Sequence, residues 1–361
     1  MNSDHLRQAR ARKLLRTEAR RILYDPNYNV TLVDYGAPVR TSSADDRPTL
    51  RFHVDKKRAP VELEIAGIPA VPRHIGEFTT DIVEGQYKLH TSPMGASAPN
   101  DPTARYDPLR GGMSISDLFH NQAGTLGGLV RDRVTQADMI LSNFHVLVID
   151  WSALPGKRIC QPGRFDGGVV TDIVAQLVRH AMSSRLDAAV AKLTGSRPLI
   201  NDQLEIGPVS GVAQAQLGMQ VQKFGRTSKR TEGVVTGVDG VTKLNYSGID
   251  REIRNVVTIV PLNPTEQASA AGDSGSWWLH AATNAAVALH FAGGDRPERA
   301  LGMDMQSVLD ALNVDIVTER AADVRSLRAA TRVVPGFTAL PAVAEPAFQV
   351  AAQAEEALVA Q

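Results

Sequence analysis

The sequence holds a single cysteine, Cys160. That excludes a disulfide framework within the chain and any zinc site built on several thiolates. No stretch reaches the roughly 18 consecutive apolar residues that a membrane-spanning helix needs. Charge of one sign is not in excess either: Lys plus Arg is 39, Asp plus Glu is 39 and the formal net charge is +0. General nucleic-acid binding needs a surplus of Lys and Arg on one face, so it is not expected. The N-terminus, MNSDHLRQARARKLLRTEARR, is basic but lacks the apolar core and small-residue cleavage site of a secretory signal. The expectation is a cytoplasmic protein, with neither membrane nor nucleic acid as partner and with homo-oligomerisation left open. HExxH spacing, a Walker loop and a dinucleotide fingerprint are missing, so no metal and no other cofactor is expected.

What is present suits a globular chain. It has 361 residues, of which 43% are hydrophobic and 22% charged. At about 150 residues per domain this is room for roughly two domains or slightly more. Residues 5–24 read as a helix, with Leu15, Ala19, Ile22 and Leu23 at helical spacing and Arg or Lys over most other positions. Such a helix either docks by its apolar stripe or meets an acidic partner. Leu50, Phe52 and Val54 alternate with polar neighbours and predict a strand; Val61, Leu63 and Ile65 predict another. Residues 91–112 are rich in Pro, Gly and Ser and mark a boundary. Residues 1–110 are therefore read as a small α+β accessory region, 111–316 as the main domain, and 317–361, with Pro335, Pro341 and Pro346, as an Ala-rich tail.

Within the main domain, short β-branched runs alternate with Gly-bearing turns. They cover 125–130, 139–142, 168–174, 188–193, 220–224, 233–238, 256–260, 276–279 and 285–290. Many short strands at this spacing predict a mainly β barrel or sandwich. Met305 to Leu312 is the one helix expected there.

Three segments carry chemistry. In Ala271-Gly272-Asp273-Ser274-Gly275, glycines on both sides let the chain turn sharply and expose the Ser274 hydroxyl. A serine is a weak nucleophile and needs a base and a place for the oxyanion it creates. The N–H groups of Gly272 and Ser274 are the candidate oxyanion donors. His145, at the end of an apolar strand, is the candidate base; its alternative is a core histidine. Asp187, before the run Ala188–Val190, would hold His145 in the correct tautomer. Asp150, Asp166 and Asp172 are rival carboxylates.

Taken together, the three segments resemble the histidine, aspartate and GDSG motifs of chymotrypsin-like (trypsin-fold) serine peptidases, in that family's order, over roughly residues 120–312. The resemblance implies two six-stranded antiparallel β-barrels with the catalytic residues His145, Asp187 and Ser274 at their junction, closed by a C-terminal helix. Lys223-Phe224-Gly225-Arg226-Thr227 resembles a motif of bacterial members whose arginine pairs with the aspartate before the nucleophile, which implies an Arg226–Asp273 ion pair. Ala288-Leu289-His290-Phe291 resembles the strand lining the substrate pocket. Ala268, six residues before Ser274, is not acidic, so the resemblance implies a P1 residue other than Lys or Arg. A Glu or Gln bound by His290 fits it; otherwise His290 only packs. GTLGGLV (124–130), LSNFHVL (141–147) and QPGRFDGG (161–168) resemble the bacterial trypsin-like proteins related to the plant narrow-leaf family, with Phe144 where that subgroup usually carries Asn. Cys160 is expected as a buried small hydrophobe.

The expected activity is that of a serine endopeptidase acting on a protein or peptide substrate. The alternative is a peptidase-fold scaffold or regulated peptide-binding protein with little turnover. A third reading is a peptidase kept latent until an oligomer or partner orders its site.

Overall fold

A computed structural model describes residues 3–38, 47–89, 101–295 and 298–318. The chain is mainly β. Its basic N-terminal segment forms two helices rather than one, α1 (Ser3–Arg16) and α2 (Glu18–Tyr24), broken at Thr17, where φ is −117° and ψ −89°. Ala11, Leu15, Ala19 and Leu23 form the buried stripe and pack with Val33, Tyr35, Val238 and Val241. Part of the basic face meets carboxylates of the same chain: Gln8 and Arg12 bind Asp239, and Arg20 binds Glu252.

Next come β1 (Val30–Gly36), β2 (Thr49–Val54), α3 (Pro60–Ile65), β3 (His74–Ile75), β4 (Phe78–Glu84) and the two-residue β5 (Lys88–Leu89). The strand expected at Val61, Leu63 and Ile65 is instead the helix α3. Pro60 presets φ for a first helical turn, and Glu62 Oε2 accepts the Ala59 N–H at 2.7 Å. The alternation misleads because no sheet face takes up its apolar residues: Val61 is 65% and Ile65 83% exposed.

The first half of the main domain contributes β6 (Leu109–Gly111), β7 (Ser114–Asp117), β8 (Gly124–Thr125), β9 (Gly128–Asp132), β10 (Asp138–Ser142), α4 (Phe144–Leu147), β11 (Arg158–Cys160), β12 (Ile173–His180), β13 (Ala189–Leu193) and β14 (Leu199–Gln203). The run expected at 125–130 is split between β8 and β9, and the run at 168–174 opens with a 3₁₀ turn, Val170–Asp172, before β12 begins. The second half contributes β15 (Gln220–Gly225), β16 (Lys229–Tyr246), β17 (Ile249–Pro261), β18 (Trp277–His280), β19 (Ala286–Asp295), β20 (Glu298–Asp304), α5 (Met305–Leu312) and β21 (Val314–Ile316). Asp304 Oδ2 accepts the Ser307 N–H at 2.9 Å and so starts α5, whose Val308, Leu309 and Leu312 are buried.

Two large sheets result. One runs β21-β9-β10-β13-β12-β11-β7-β8, with every pairing antiparallel and β8 and β21 at its two ends. In the other, β15-β18-β19-β20-β17-β16 form an antiparallel path that a β15–β16 pairing closes into a six-stranded barrel. The β16–β17 hairpin is long, and its outer half leaves the barrel. There β1 joins it, with Leu32 opposite Thr242, and β2, β4 and β3 follow. The N-terminal strands therefore extend the second sheet instead of forming one of their own. Residues 319–361, most of the expected tail, lie outside the described residues.

Candidate active site

Strands β10 and β13 pair with Ser142 opposite Ala189. His145 comes shortly after Ser142 and Asp187 shortly before Ala189, so this register brings both to one end of the sheet. His145 lies in α4, not at the end of a strand as expected; the helical turn folds its ring back over Asp187. The His145 N–H donates to Asp187 Oδ1 at 3.1 Å, and Nδ1 lies 2.5 Å from Oδ2. Asn143 Nδ2 donates to the Asp187 carbonyl at 2.6 Å. Phe144, in place of a polar residue, packs on the rings of Trp151 and His180 at 4.7 and 4.9 Å, away from this couple. Asp187 is buried, so an anion there needs these donors. The geometry assigns the Nδ1 proton to Asp187 and leaves Nε2 as the acceptor. Nε2 has no hydrogen-bond partner among the described residues.

The rival carboxylates are engaged elsewhere. Asp150 accepts from Ser152 at 2.8 Å, Asp172 pairs with Arg105 at 3.0 Å, and Asp166 pairs with Arg226.

Tyr246, the last residue of β16, was not foreseen. Its hydroxyl donates to Asp187 Oδ2 at 2.9 Å, the oxygen that also faces His145. Burial, followed by the Asp187 charge, holds this hydroxyl well above the ordinary tyrosine range, so it stays a donor. No local signal marks it: the contact exists only because the hairpin crosses from the second sheet to the first.

Ser274 sits on the turn between β17 and β18. Gly272 and Gly275 flank it at φ of +99° and +98°, the left-handed region that side chains disfavour. A Cβ at Gly272 would strike the Thr227 hydroxyl, and one at Gly275 would strike Ser142 and the Thr125 carbonyl. The turn is tied to the first half: Thr125 N–H donates to the Ser274 carbonyl at 2.7 Å, and the Thr125 hydroxyl donates to the Gly272 carbonyl at 2.9 Å. Neither the Gly272 nor the Ser274 N–H has a hydrogen-bond acceptor among the described residues. Gly124 lies between the Val146 side chain and the Ser274 carbonyl, which puts the Ser274 turn beside α4. The Ser274 hydroxyl, however, donates to the Phe291 carbonyl at 3.1 Å and not to His145.

The expected Arg226–Asp273 pair is not formed. Asp273 Oδ2 accepts from Lys223 Nζ at 2.9 Å, the Ser228 hydroxyl at 2.5 Å and Ala270 N–H at 2.8 Å, while Oδ1 takes the Thr227 and Ser228 N–H groups. Burial alone would raise this carboxyl; the Lys223 charge and the Ser228 hydroxyl overcome it and hold it well below the usual carboxylate range. With Asp273 saturated, Arg226 turns its planar fork to Asp166, with Nε 2.8 Å from Oδ2 and Nη2 on Oδ1. Asp166 belongs to the RFDGG turn of the first half, so this buried pair bridges the halves. Lys223 stood within the quoted motif; what hid its role is that a lysine two residues before a glycine gives no sign of where its ammonium will end.

His290 and Ala268 are both fully buried. Trp278 Nε1 faces His290 Nδ1 at 3.4 Å, and the His290 carbonyl accepts the Gly275 N–H at 2.9 Å, so His290 lies directly against the Ser274 turn. The Ala268 N–H donates to Glu298 Oε1 at 3.1 Å. A carboxylate thus stands beside the position that the sequence leaves non-acidic. Cys160 is buried, and burial raises its thiol to about 11.

No family model matches the chain, and no curated protein matches it. Solved structures similar to it include a glutamic acid specific serine protease described as using a histidine triad in substrate binding, at 22% identity and a TM-score of 0.44, covering 58% of this chain and 100% of that one. Thermobifida fusca protease A aligns at 15% identity and a TM-score of 0.43, covering 59% of this chain and 100% of its own. A chymotrypsin of Cellulomonas bogoriensis aligns at 16% identity and 0.43, with the same coverage of 59% and 100%. At these scores the likeness does not extend to activity or specificity.

Proposed function

We propose that the chain is a serine endopeptidase. One observation carries the reading: a buried His145–Asp187 couple whose Nε2 is left open, beside a serine on a doubly glycine-flanked turn. Catalysis begins when the Ser274 hydroxyl swings from the Phe291 carbonyl to His145 Nε2; catalytic hydrogen bonds of this kind commonly tighten only once substrate is bound. Oγ attacks the scissile carbonyl while Nε2 takes the proton. Asp187, held by Tyr246 and by the His145 N–H, stabilises the imidazolium. The N–H groups of Gly272 and Ser274 meet the oxyanion. The imidazolium then returns the proton to the leaving amine, and water repeats the sequence on the acyl-enzyme.

A second reading has an observation of its own. A peptide-binding scaffold is compatible with a Ser274 hydroxyl that rests on a backbone carbonyl. Fluorophosphonate labelling separates the two. The peptidase reading expects a covalent adduct that Ser274→Ala abolishes and His145→Ala nearly abolishes, with turnover falling by about 10⁶ on loss of the serine. A correctly folded protein that stays unlabelled even when residues 86–89 are altered supports the scaffold. For specificity, His290 supports a Glu or Gln at P1 and Glu298 a basic one. We favour the former, since Glu298 already spends an oxygen on the Ala268 and Ser269 N–H groups. A cleavage library dominated by P1 Lys or Arg would overturn this.

A further inference from the structure

A peptidase must admit an extended chain to its nucleophile, yet Ser274 is 0% and His145 only 6% exposed. Strand β5 lies on the approach to His145. Strand β19 pairs with β18 through Ala286 to Leu289, and His290 still bonds Gly275 and Ser276, so its edge on that side is free of β18 only beyond His290. An open strand edge beside a reactive serine is where an extended peptide binds, by main-chain hydrogen bonding. Here β5 fills that edge, with Leu89 opposite Ala292 and Lys88 opposite Gly293. The pairing is antiparallel, so residues 88 and 89 advance toward Phe291, the residue whose carbonyl holds the Ser274 hydroxyl. Tyr87, Lys88 and Leu89 share with His145 and Tyr246 the lining of a cleft of about 440 Å³.

The segment is built into this position. A Cβ at Gly294 would collide with the Gln86 carbonyl oxygen and touch the Tyr87 ring, so the missing side chain is what lets residues 86 and 87 approach. Tyr87 anchors the segment from the other side: its hydroxyl lies 2.6 Å from His53 Nδ1 on β2, with the rings 5.7 Å apart. Behind β5 lie strand β16 and the main core, on which Tyr87 and Leu89 pack, but its own strand pairing is only two residues long.

We propose that residues 86–89 are a cis-acting strap that occupies the substrate's edge of β19 and keeps the peptidase latent until it is displaced. The proposal rests on the peptidase reading and names the regulation of that same site. Two variants of the full chain test it, Tyr87→Ala, which removes the anchor, and Leu89→Pro, which breaks the pairing. Two readouts are followed: amide hydrogen exchange at Ala292 and Gly293, and hydrolysis of an unstructured casein-type substrate. For a strap closed in about nine molecules of ten, each variant should raise kcat/KM about tenfold and speed exchange at the one of these two amides that faces β5, the other facing β20. Faster exchange with unchanged hydrolysis, in a wild type that labels with fluorophosphonate, overturns the strap alone. Absence of labelling in the wild type and in both variants overturns the peptidase reading and the strap with it. A Ser274-dependent cut of the chain after Leu89 also overturns the strap, since the segment would then be a substrate and not a block.

Discussion

Tyr246→Phe isolates the least expected part of the site. The substitution keeps the ring in its buried place and removes only the hydroxyl that donates to Asp187 Oδ2 at 2.9 Å. Asp187 would retain the His145 N–H at 3.1 Å on Oδ1 and the imidazole at 2.5 Å on Oδ2. A hydrogen bond to a charged, buried acceptor contributes about 1.5–3 kcal/mol. That energy is felt most when His145 becomes a cation, because the carboxylate then has to keep its alignment against the full charge. If most of it is expressed in the transition state, kcat falls between about tenfold and about a hundredfold at 1.36 kcal/mol per decade. KM should stay near the wild-type value, since the ring still lines the cleft. The assay is steady-state peptide hydrolysis, with melting temperature followed alongside. A kcat equal to wild type in a folded variant refutes the positioning role.

Breaking the Lys223–Asp273 pair should be costly, because both side chains are fully buried; Lys223→Met is expected to destabilise the fold by about 3–5 kcal/mol, read from urea midpoints. The folded Asp273 carboxyl lies below its ordinary value, so its stabilisation is complete above the usual carboxylate range and is lost as pH falls through the folded value. Asp273→Asn should therefore be less stable near neutral pH yet show a shallower fall in urea midpoint on acidification, and an unchanged acid slope would count against the assignment. Arg226→Ala and Asp166→Ala each strand a buried charge and should each cost about 3–5 kcal/mol, with the double variant costing well under their sum; strict additivity would mean the two groups do not act as a pair.

Much of the site was readable because its parts are local. The order of His145, Asp187 and Ser274, the glycines at 272 and 275, and the helix at Met305–Leu312 all follow from short motifs, spacing and caps. Five of the six strands of the closed barrel were readable for the same reason, as compact β-branched runs between turns, although β16 and β17 extend well beyond theirs and β20 was not among them. What failed depended on partners far away in sequence. Val61, Leu63 and Ile65 alternate like a strand, but only a neighbouring sheet could have made them one. Arg226 was assigned to Asp273, although it is Lys223, earlier in the same motif and within β15, that reaches it. Tyr246 and β5 act through residues of other strands, and no pattern around either position announces that.

The misassigned contacts share a direction, and this bears on how the site works. His145 and Asp187 belong to the first sheet, while Ser274, Tyr246 and Arg226 belong to the second half. Tyr246 reaches across to Asp187, Arg226 reaches across to Asp166, and the Thr125 N–H and hydroxyl reach back to the carbonyls of Ser274 and Gly272. On the proposed reading, a proton passes from the serine to the imidazole only if the two halves keep their register to within a fraction of an ångström. Each of these cross-links ties the halves at a different point around the site. The β5 pairing is a cross-link of another kind, because it holds the edge that the substrate needs. The contacts differ in what they bury: the charge pairs and the tyrosine hydroxyl lie inside the junction, whereas β5 is held by a two-residue pairing, the Tyr87–His53 contact and the packing of Tyr87 and Leu89 on the core. On the peptidase reading, the two halves stay in register while the exposure of the site is set by β5.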